Sequence, residues 1–248
     1  MSPPLVNAVH YDGISAASTE ILQGTFQDPS LHPHTAAHIN ELASPPGLPP
    51  WPISFLQITP QEHADAWRKA KEYTSSSPSG LHFGLWKTNA THPLLCELDK
   101  LMRAIPFRTG YSLRRWRHGV DVELQKDPQN WNIERLRTIV LIEADHNMNN
   151  KLLGRRAMEH AEQHQAIAPE QHGSRKRLSS MQASVNNRIM YDLMRQHRHG
   201  GILCSNDAKS CYDRIVHSVL SLSLQRLGVP PRTHPVHAHH HPGNVPLH

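Results

Sequence analysis

Several features are scarce in this sequence, and each scarcity excludes a class of protein. The chain of 248 residues has three cysteines, Cys96, Cys204 and Cys211, an odd and scattered set that argues against a disulfide framework or a zinc site. No apolar run approaches the roughly 20 residues that cross a bilayer, and the N-terminus lacks the basic start and apolar stretch of a secretory signal. The sequence therefore predicts an intracellular protein of the cytoplasm or nucleus that is neither secreted nor inserted in a membrane.

Basic residues are absent from the first part of the chain. Residues 1–58 contain four acidic residues and no Lys or Arg, and their proline-rich stretch SPPGLPPWP cannot continue a helix or a central strand. From residue 59 onward, 26 basic residues stand against 17 acidic ones, a net charge of +9. The pattern predicts an acidic, disordered leader over residues 1–58. The basic body that follows is compatible with a polyanionic partner and equally with a solvated basic surface.

Capping signals and periodicity predict an ordered region from Thr59 onward. The sequence TPQE places Thr59 at an N-cap, Pro60 at the first helical position and Glu62 at the third, and this helix is expected to reach Tyr73. A second, amphipathic helix is expected at about 94–105, with its apolar residues on one stripe. The stripe consists of Leu94, Leu98, Leu101, Met102 and Ile105.

Strands and helices alternate along the rest of this region. Strands are predicted at 136–143 and 201–206, and helices at 150–165, 178–195 and 213–228, the last capped by Asp213 and Gly228. The fold class is α/β or α+β. Residues 231–248, which are rich in His and Pro, are predicted to form a loose tail.

Residues 205–217, SNDAKSCYDRIVH, carry the most specific pattern. A carboxylate at the end of a strand can bind Mg²⁺, although such an Asp taken alone is usually structural. The spacing Asp-x-Lys-x-x-Tyr-Asp-x-x-x-His resembles the first metal-binding motif of retroelement reverse transcriptases, D-x-x-K-A-F-D-x-V-x-H. In the family's order, the stretch LRTIVLIEADHNMNNKLLGRR (136–156) resembles the fingers motif R-P-I-x-L, QHGSRKRLSS (171–180) resembles Q-x-G-F-R, and RLGVP carries the later G-x-P. Residues 59–230 thus resemble the fingers and first palm motif of a eukaryotic non-LTR-type retrotransposon enzyme.

The resemblance implies a fold, a reaction and ligands. The fold would be an incomplete right-hand polymerase, with fingers and the start of a palm. The family's reaction is RNA-directed DNA polymerisation, in which two Mg²⁺ ions act on an RNA template, a DNA primer and a deoxynucleoside triphosphate. Asp207 would bind the catalytic Mg²⁺ through its carboxylate and Ala208 through its backbone carbonyl. Tyr212 would be the steric gate against a ribose 2′-hydroxyl, or, alternatively, a core or helix-cap aromatic.

Further residues match positions that hold nucleotide and nucleic acid in the family. Arg137 and Lys126 correspond to the fingers cations that hold the incoming triphosphate. Gln171 and Gly173 fall where the family contacts template and nucleotide. Three neighbouring cations could follow backbone phosphates, or could simply form a solvated basic loop. These are Arg175, Lys176 and Arg177.

The sequence departs from the family in one respect that bears on activity. The second palm motif of the family contains two adjacent Asp residues, and no such pair occurs in this chain. After Val229 the composition changes abruptly, as after a frameshift or in a decayed element. The chain is therefore expected to be inactive as a polymerase by itself. The alternative function is that of a non-enzymatic module that binds nucleic acid through its basic residues without sequence choice.

Overall fold

The protein has a mixed α and β structure in which helices predominate. The computed structural model describes residues 14–74, 77–202, 204, 206 and 215–231. Its helices are α1 (Ala16–Gln23), α2 (Pro33–Asn40), α3 (Pro60–Arg68), α4 (Phe83–Asn89), α5 (Pro93–Thr109), α6 (Ala144–Gln163), α7 (Ser180–Gln196) and α8 (His217–Arg226). Its strands are β1 (Val120–Gln125) and β2 (Leu136–Leu141), and short 3-10 helices span Ile53–Leu56, Arg114–Arg117 and Ile133–Arg135. The coarse class, α+β, agrees with the sequence. Within these residues, no helix has both the length and the apolar character needed to cross a bilayer.

The core of the predicted ordered region lies between α3, α4 and α6. Trp67 of α3 is fully buried, stacks on Trp86 at a ring distance of 5.9 Å and meets the edge of Phe83 at 6.0 Å. The predicted capping box begins α3, because Thr59 Oγ1 accepts a hydrogen bond from Glu62 N at 3.1 Å and Thr59 N donates to Glu62 Oε2 at 2.9 Å. The helix ends at Arg68, earlier than predicted. The cap and the buried face of this helix are therefore as expected.

The segment before Thr59 differs from the disordered leader that the sequence predicts. Helices α1 and α2 lie within it, and Ile21, Phe26 and Ile39 form a buried cluster with Leu222 of α8. A serine capping box and the left-handed Gly24 bound α1. Of the described prolines in this segment, Pro33 begins α2 and the others lie outside α1 and α2, while apolar residues among them, such as Ile39 and Trp51, have partners about 180 positions away in the chain. Such partners cannot be seen in local composition.

A second cluster joins the end of this segment to α5, α6 and the turn after α8. Trp51 is its largest member, and it donates from its backbone N to Gly228 O at 3.1 Å and from Nε1 to Leu227 O at 3.2 Å. Gly228 has a φ of +80°, a left-handed conformation that favours glycine, and it follows the end of α8 as predicted. The remaining buried members are Ile58, Phe107, Leu153, Ala157 and Val229.

Helix α5 presents its apolar stripe to solvent. All five residues of the predicted stripe are exposed, from 39% at Met102 to 77% at Leu94. The opposite face is buried and includes polar residues, among them Asp99 and Arg103. The apolar stripe is not the buried face because Arg103 belongs to a buried polar network that holds the other side of the helix against α3 and α6.

Three further predictions concern the C-terminal half of the described chain. Helix α7 forms as predicted but buries none of its residues. Gly201, Ile202, Cys204 and Asn206 belong to no strand, and Ile202 is 90% exposed. Helix α8 begins at His217, and the predicted N-cap at position 213 lies outside the described residues, as does the predicted tail beyond residue 231.

Candidate functional site

The residues of the predicted first palm motif lie outside the described part of the chain. This applies to Asp207, Ala208 and Tyr212. Among the residues that are described, no three His, Cys, Asp or Glu side chains are grouped so that they could hold a metal ion. Glu143 and Asp145 lie close together, but both are bound to Arg115, so they do not form a Mg²⁺ site. The predicted Mg²⁺ ligation by Asp207 stays a prediction.

The predicted nucleotide-binding cations lie on the β1–β2 hairpin. The two strands are antiparallel, with Leu124 opposite Arg137 and Val122 opposite Ile139. Side chains alternate between the two faces of a strand, so these four residues share one face. Lys126 lies two residues beyond Leu124 and its backbone N donates to Arg135 O at 2.9 Å, which continues the ladder and puts Lys126 on the same face. We call this the cationic face of the hairpin.

The acidic residues of the strands lie on the opposite face. Asp121 pairs with Val140, and Glu123 pairs with Thr138, whose hydroxyl donates to the Glu123 carboxylate at 2.7 Å. Arg137 is exposed, and within the described residues its side chain has no hydrogen-bonding or ionic partner. Separation of the two charge signs leaves Arg137 and Lys126 available on a surface without a neighbouring carboxylate from the strands.

An exposed tryptophan lies at the tip of the hairpin. Trp131 is in the connection between β1 and β2 and is 73% exposed. The tip is ordered locally by Lys126, whose Nζ donates to Glu134 O at 3.5 Å, and by an ion pair of 3.6 Å between Arg135 and Asp127. Trp131 belongs to none of the sequence motifs described above. The signal available in the sequence was an aromatic residue between a segment with the alternation of a strand, residues 120–125, and the strand LRTIVL.

A buried ionic network fixes the base of the hairpin. Arg115, in the 3-10 helix before β1, donates to both carboxylate oxygens of Asp145 and to Glu143, the two acids that follow β2. Trp116 Nε1 also donates to Asp145, at 3.0 Å. Glu143 in turn accepts hydrogen bonds from the Ser79 backbone and hydroxyl at 3.0 and 2.8 Å. Burial alone would lower the pKa of Arg115, but the hydrogen bond and charge of Asp145 raise it. The two ends of the hairpin are thereby joined by charged groups.

A second buried network joins α3, α5 and α6. Arg103 donates to Asn149 Oδ1 at 2.7 Å, and its Nη1 lies 3.0 Å from His63 Nδ1. Burial lowers the pKa of Arg103 to about 10, so the guanidinium stays charged at neutral pH. Burial, with the nearby charges of Arg103 and Lys100, lowers the pKa of His63 to about 4. His63 is therefore neutral at pH 7, which suits it to accept a hydrogen bond from Arg103.

The predicted nucleic-acid-binding loop is occupied by contacts within the protein. Arg175 forms an ion pair with Glu162 at 3.1 Å and donates to three backbone carbonyls, including Gln171 O at 3.3 Å. Lys176 forms an ion pair with Glu159 at 2.5 Å. Gln171 Nε2 donates to Gly173 O at 3.4 Å. The structure brings these loop residues together, but the charges of Arg175 and Lys176 are largely neutralised by Glu162 and Glu159. Arg177 has a positive φ of 66°.

The hairpin and the loop form two separate groups. No hydrogen bond or ion pair between described residues joins Lys126 or Arg137 to the loop. Comparison of the chain with protein-family models, with curated proteins and with solved structures finds no match. The candidate interface is the hairpin, which has two cations on one face, an exposed tryptophan at the tip and a base held by the Arg115 network.

Proposed function

We propose that this chain is the fingers and first palm portion of a reverse-transcriptase-like polymerase, and that it binds single-stranded nucleic acid through the β1–β2 hairpin. The observation that carries the proposal is the position of Lys126 and Arg137 on one hairpin face, with Trp131 exposed at its tip. The order of the sequence motifs supports the polymerase relationship. Nucleic-acid binding requires only the hairpin, whereas polymerisation requires residues that the hairpin does not supply.

Each of the three side chains has a distinct role in this proposal. The Arg137 guanidinium can hold a phosphate through two parallel hydrogen bonds, and the Lys126 ammonium adds a point charge beside it. The Trp131 ring can stack on a base, an interaction that every base offers and that therefore carries little sequence preference. The Arg115 network reduces the conformational freedom that the hairpin would lose on binding.

The polymerase part of the proposal concerns residues at and after Asp207. Asp207 and the Ala208 carbonyl are the groups that would hold Mg²⁺, an ion that polymerases use to activate the primer hydroxyl and stabilise the leaving group. Tyr212 would exclude a ribose 2′-hydroxyl. The partners would then be an RNA template, a DNA primer and a deoxynucleoside triphosphate. Because the sequence has no adjacent Asp pair, we do not assign catalysis to this chain alone. As a nucleic-acid-binding module, it would use the same hairpin without any chemistry.

Binding of a fluorescent 20-nucleotide single-stranded oligomer to the full chain tests the proposal. We expect Lys126→Ala with Arg137→Ala to lower the affinity about tenfold, because two phosphate contacts are lost. The slope of log K against log salt concentration should become shallower by about 1.4, since each single-strand contact contributes roughly 0.7. We expect Trp131→Ala to weaken binding by at least about fivefold, because a stacked base is lost. Fluorescence anisotropy over a series of salt concentrations measures the two changes in affinity and the change in salt slope.

A charge-matched variant serves as the control. Lys87→Ala with Arg188→Ala also removes two positive charges. Lys87 of α4 forms an ion pair with Glu72, and Arg188 of α7 forms one with Asp192. We expect this variant to bind the oligomer nearly as the wild type does. An equal loss of affinity in both double variants would show that only total charge matters, which contradicts a hairpin site. Absence of binding by the wild type at low salt would contradict the function itself.

A further inference from the structure

A groove lies between α3 and α6, apart from the hairpin. Its volume is about 560 Å³, within the range of about 300 to 1,000 Å³ that is typical of small-molecule sites. Part of its wall comes from the 3-10 helix before α3. Arg156 fixes this segment to α6, since its guanidinium donates to Phe55 O, to Gln57 O at 2.9 Å and to Glu62 at 2.9 Å. The groove is thus formed by elements that are bound to one another.

The charges that line the groove do not cancel. Its three acids each have a basic partner: Glu62 pairs with Arg156 at 2.9 Å, Asp65 with Arg68 at 2.8 Å, and Glu159 with Lys176 at 2.5 Å. Partial burial would raise the pKa of Glu62, but hydrogen bonds from the Thr59 backbone and from Arg156 outweigh burial and lower it. Glu62 is therefore ionised at neutral pH, and all three acids are held in ion pairs with basic partners.

Three lining cations remain without such a partner. Lys69 lies at the end of α3, and Lys151 and Arg155 lie one turn apart on α6. All three side chains are exposed, and within the described residues none of them forms an ion pair. Residues four apart share one helix face, so Lys151 and Arg155 can reach the same ligand group. The groove lining thus has four cations against three acids, and the three cations outside its ion pairs stand on its two walls.

Most of the remaining wall is apolar, apart from Ser54 and Thr59. Leu152 and Met148 of α6 and Ala66 of α3 line the groove beside the cations. Phe55 completes this wall, and its ring is held by the Arg156 guanidinium at 6.0 Å and by Trp51 at 5.5 Å. A simple inorganic anion would leave these apolar groups facing water, whereas an apolar molecule would leave the three cations unused.

We infer that this groove binds a phosphomonoester that carries an apolar or aromatic group. A phosphomonoester has a charge between about −1.5 and −2 at pH 7 and three acceptor oxygens, which suits two or three cations better than a single carboxylate does. Arg155 can take the phosphate with two hydrogen bonds, and Lys151 and Lys69 add charge. The apolar part of the ligand lies against Phe55, Met148 and Leu152. This inference does not depend on the hairpin or on nucleic-acid binding.

Titration of the full chain with 1-naphthyl phosphate tests the inference, with inorganic phosphate and 1-naphthol as reference ligands. We expect 1-naphthyl phosphate to bind at least about tenfold more tightly than either reference, because only it uses both walls. Isothermal titration calorimetry measures the three affinities. Equal affinity for 1-naphthyl phosphate and 1-naphthol would overturn the role of the cations. Equal affinity for 1-naphthyl phosphate and inorganic phosphate would overturn the role of the apolar wall.

Two variants with opposite expected effects locate the site. Lys151→Gln with Arg155→Gln should lower the affinity for 1-naphthyl phosphate about tenfold, because two ionic contacts are lost from exposed positions that do not affect folding. Glu159→Gln should raise it about twofold, since a negative charge leaves the groove and Lys176 loses its partner. The hairpin double variant, Lys126→Ala with Arg137→Ala, should bind as the wild type does. An unchanged affinity in the Lys151 and Arg155 variant, with circular dichroism as in the wild type, would overturn the site.

Discussion

His63 and Arg103 lie side by side in the interior, and only one of them can be charged. Both residues are buried, at 0% and 2% exposure, and their nitrogen atoms are 3.0 Å apart. Two positive charges at this distance would repel each other, so the proton stays on the much more basic guanidinium. The charged Arg103 then donates to Asn149 and to the neutral imidazole. The stability of this network therefore depends on pH through His63.

We predict that His63 makes the protein less stable below pH 6.5. In the folded chain its pKa is about 4, against an ordinary value of 6.5, so between these values the unfolded chain binds a proton that the folded chain does not. The stabilisation is complete above about pH 6.5 and is lost as the pH falls toward 4. His63→Gln retains an acceptor for Arg103 but does not titrate, so its unfolding free energy should fall less steeply in this window.

Urea denaturation at a series of pH values measures that difference. His118→Gln is the matched control, because His118 is exposed and lies after the 3-10 helix that holds Arg115. The control should follow the wild-type curve. Parallel curves for the wild type and His63→Gln between pH 4 and 6.5 would contradict the buried, neutral histidine.

The residues that matter most in the interior could not be identified from the sequence. Glu143 and Asp145 are 1% exposed, although ionised acids are rarely buried without partners. Their partners, Arg115 and Ser79, lie 28 to 64 residues earlier, and no local pattern connects them. Thr59 shows the opposite case, because its capping partner is only three residues away. Local hydrogen bonds were predictable here, and long-range ion pairs were not.

At the scale of elements, α3 and α7 begin in the same way but are used differently. Thr59 and Ser179 each form a complete capping box with the third helical residue. Helix α3 buries His63 and Trp67, whereas α7 buries none of its 17 residues. A cap stabilises the whole fold only if its helix is packed on that fold, since an undocked helix can unfold locally.

We predict different outcomes for the loss of the two caps. Thr59→Ala should lower the global unfolding free energy by about 1 kcal/mol, because a docked helix loses its N-cap. Ser179→Ala should leave the global value nearly unchanged and instead raise amide hydrogen exchange within α7 about fivefold. Urea denaturation and hydrogen exchange followed by mass spectrometry measure the two effects. Equal losses of global stability would show that α7 unfolds together with the core.

The orientation of α5 shows why periodicity finds a helix more reliably than its buried face. The stripe from Leu94 to Ile105 correctly predicted a helix, but it faces solvent. The buried face carries Asp99 and Arg103, which a pattern of apolar residues would assign to the surface. A polar network can occupy an interior face when its hydrogen-bonding partners, here His63 and Asn149, come from other helices. The strand predicted at 136–143 was easier to predict, since its partner strand β1 lies nearby in the chain.

At the scale of the whole molecule, the first and last described segments are packed together. Ile21 and Ile39 share a buried cluster with Leu222, and Arg226 Nε donates to Ala43 O at 3.0 Å. Trp51 adds two hydrogen bonds to the turn after α8. The segment that composition predicted to be disordered therefore packs on one side of α8. The segment and the helix are each expected to need the other for a complete core.

The final prediction is that Trp51 makes this packing cooperative. Trp51→Ala should cost about 3 to 5 kcal/mol, because a fully packed indole and its hydrogen bond to Leu227 are lost. Trp131→Ala is the matched control, since Trp131 is 73% exposed, and it should change the unfolding free energy by less than about 0.5 kcal/mol. In limited proteolysis, residues 14–58 of the wild type should resist cleavage as long as the core does, whereas Trp51→Ala should be cut there first. Early cleavage of that segment in the wild type would show that it is not part of the cooperative unit, and the packing of Trp51 on the turn after α8 would then contribute little to stability.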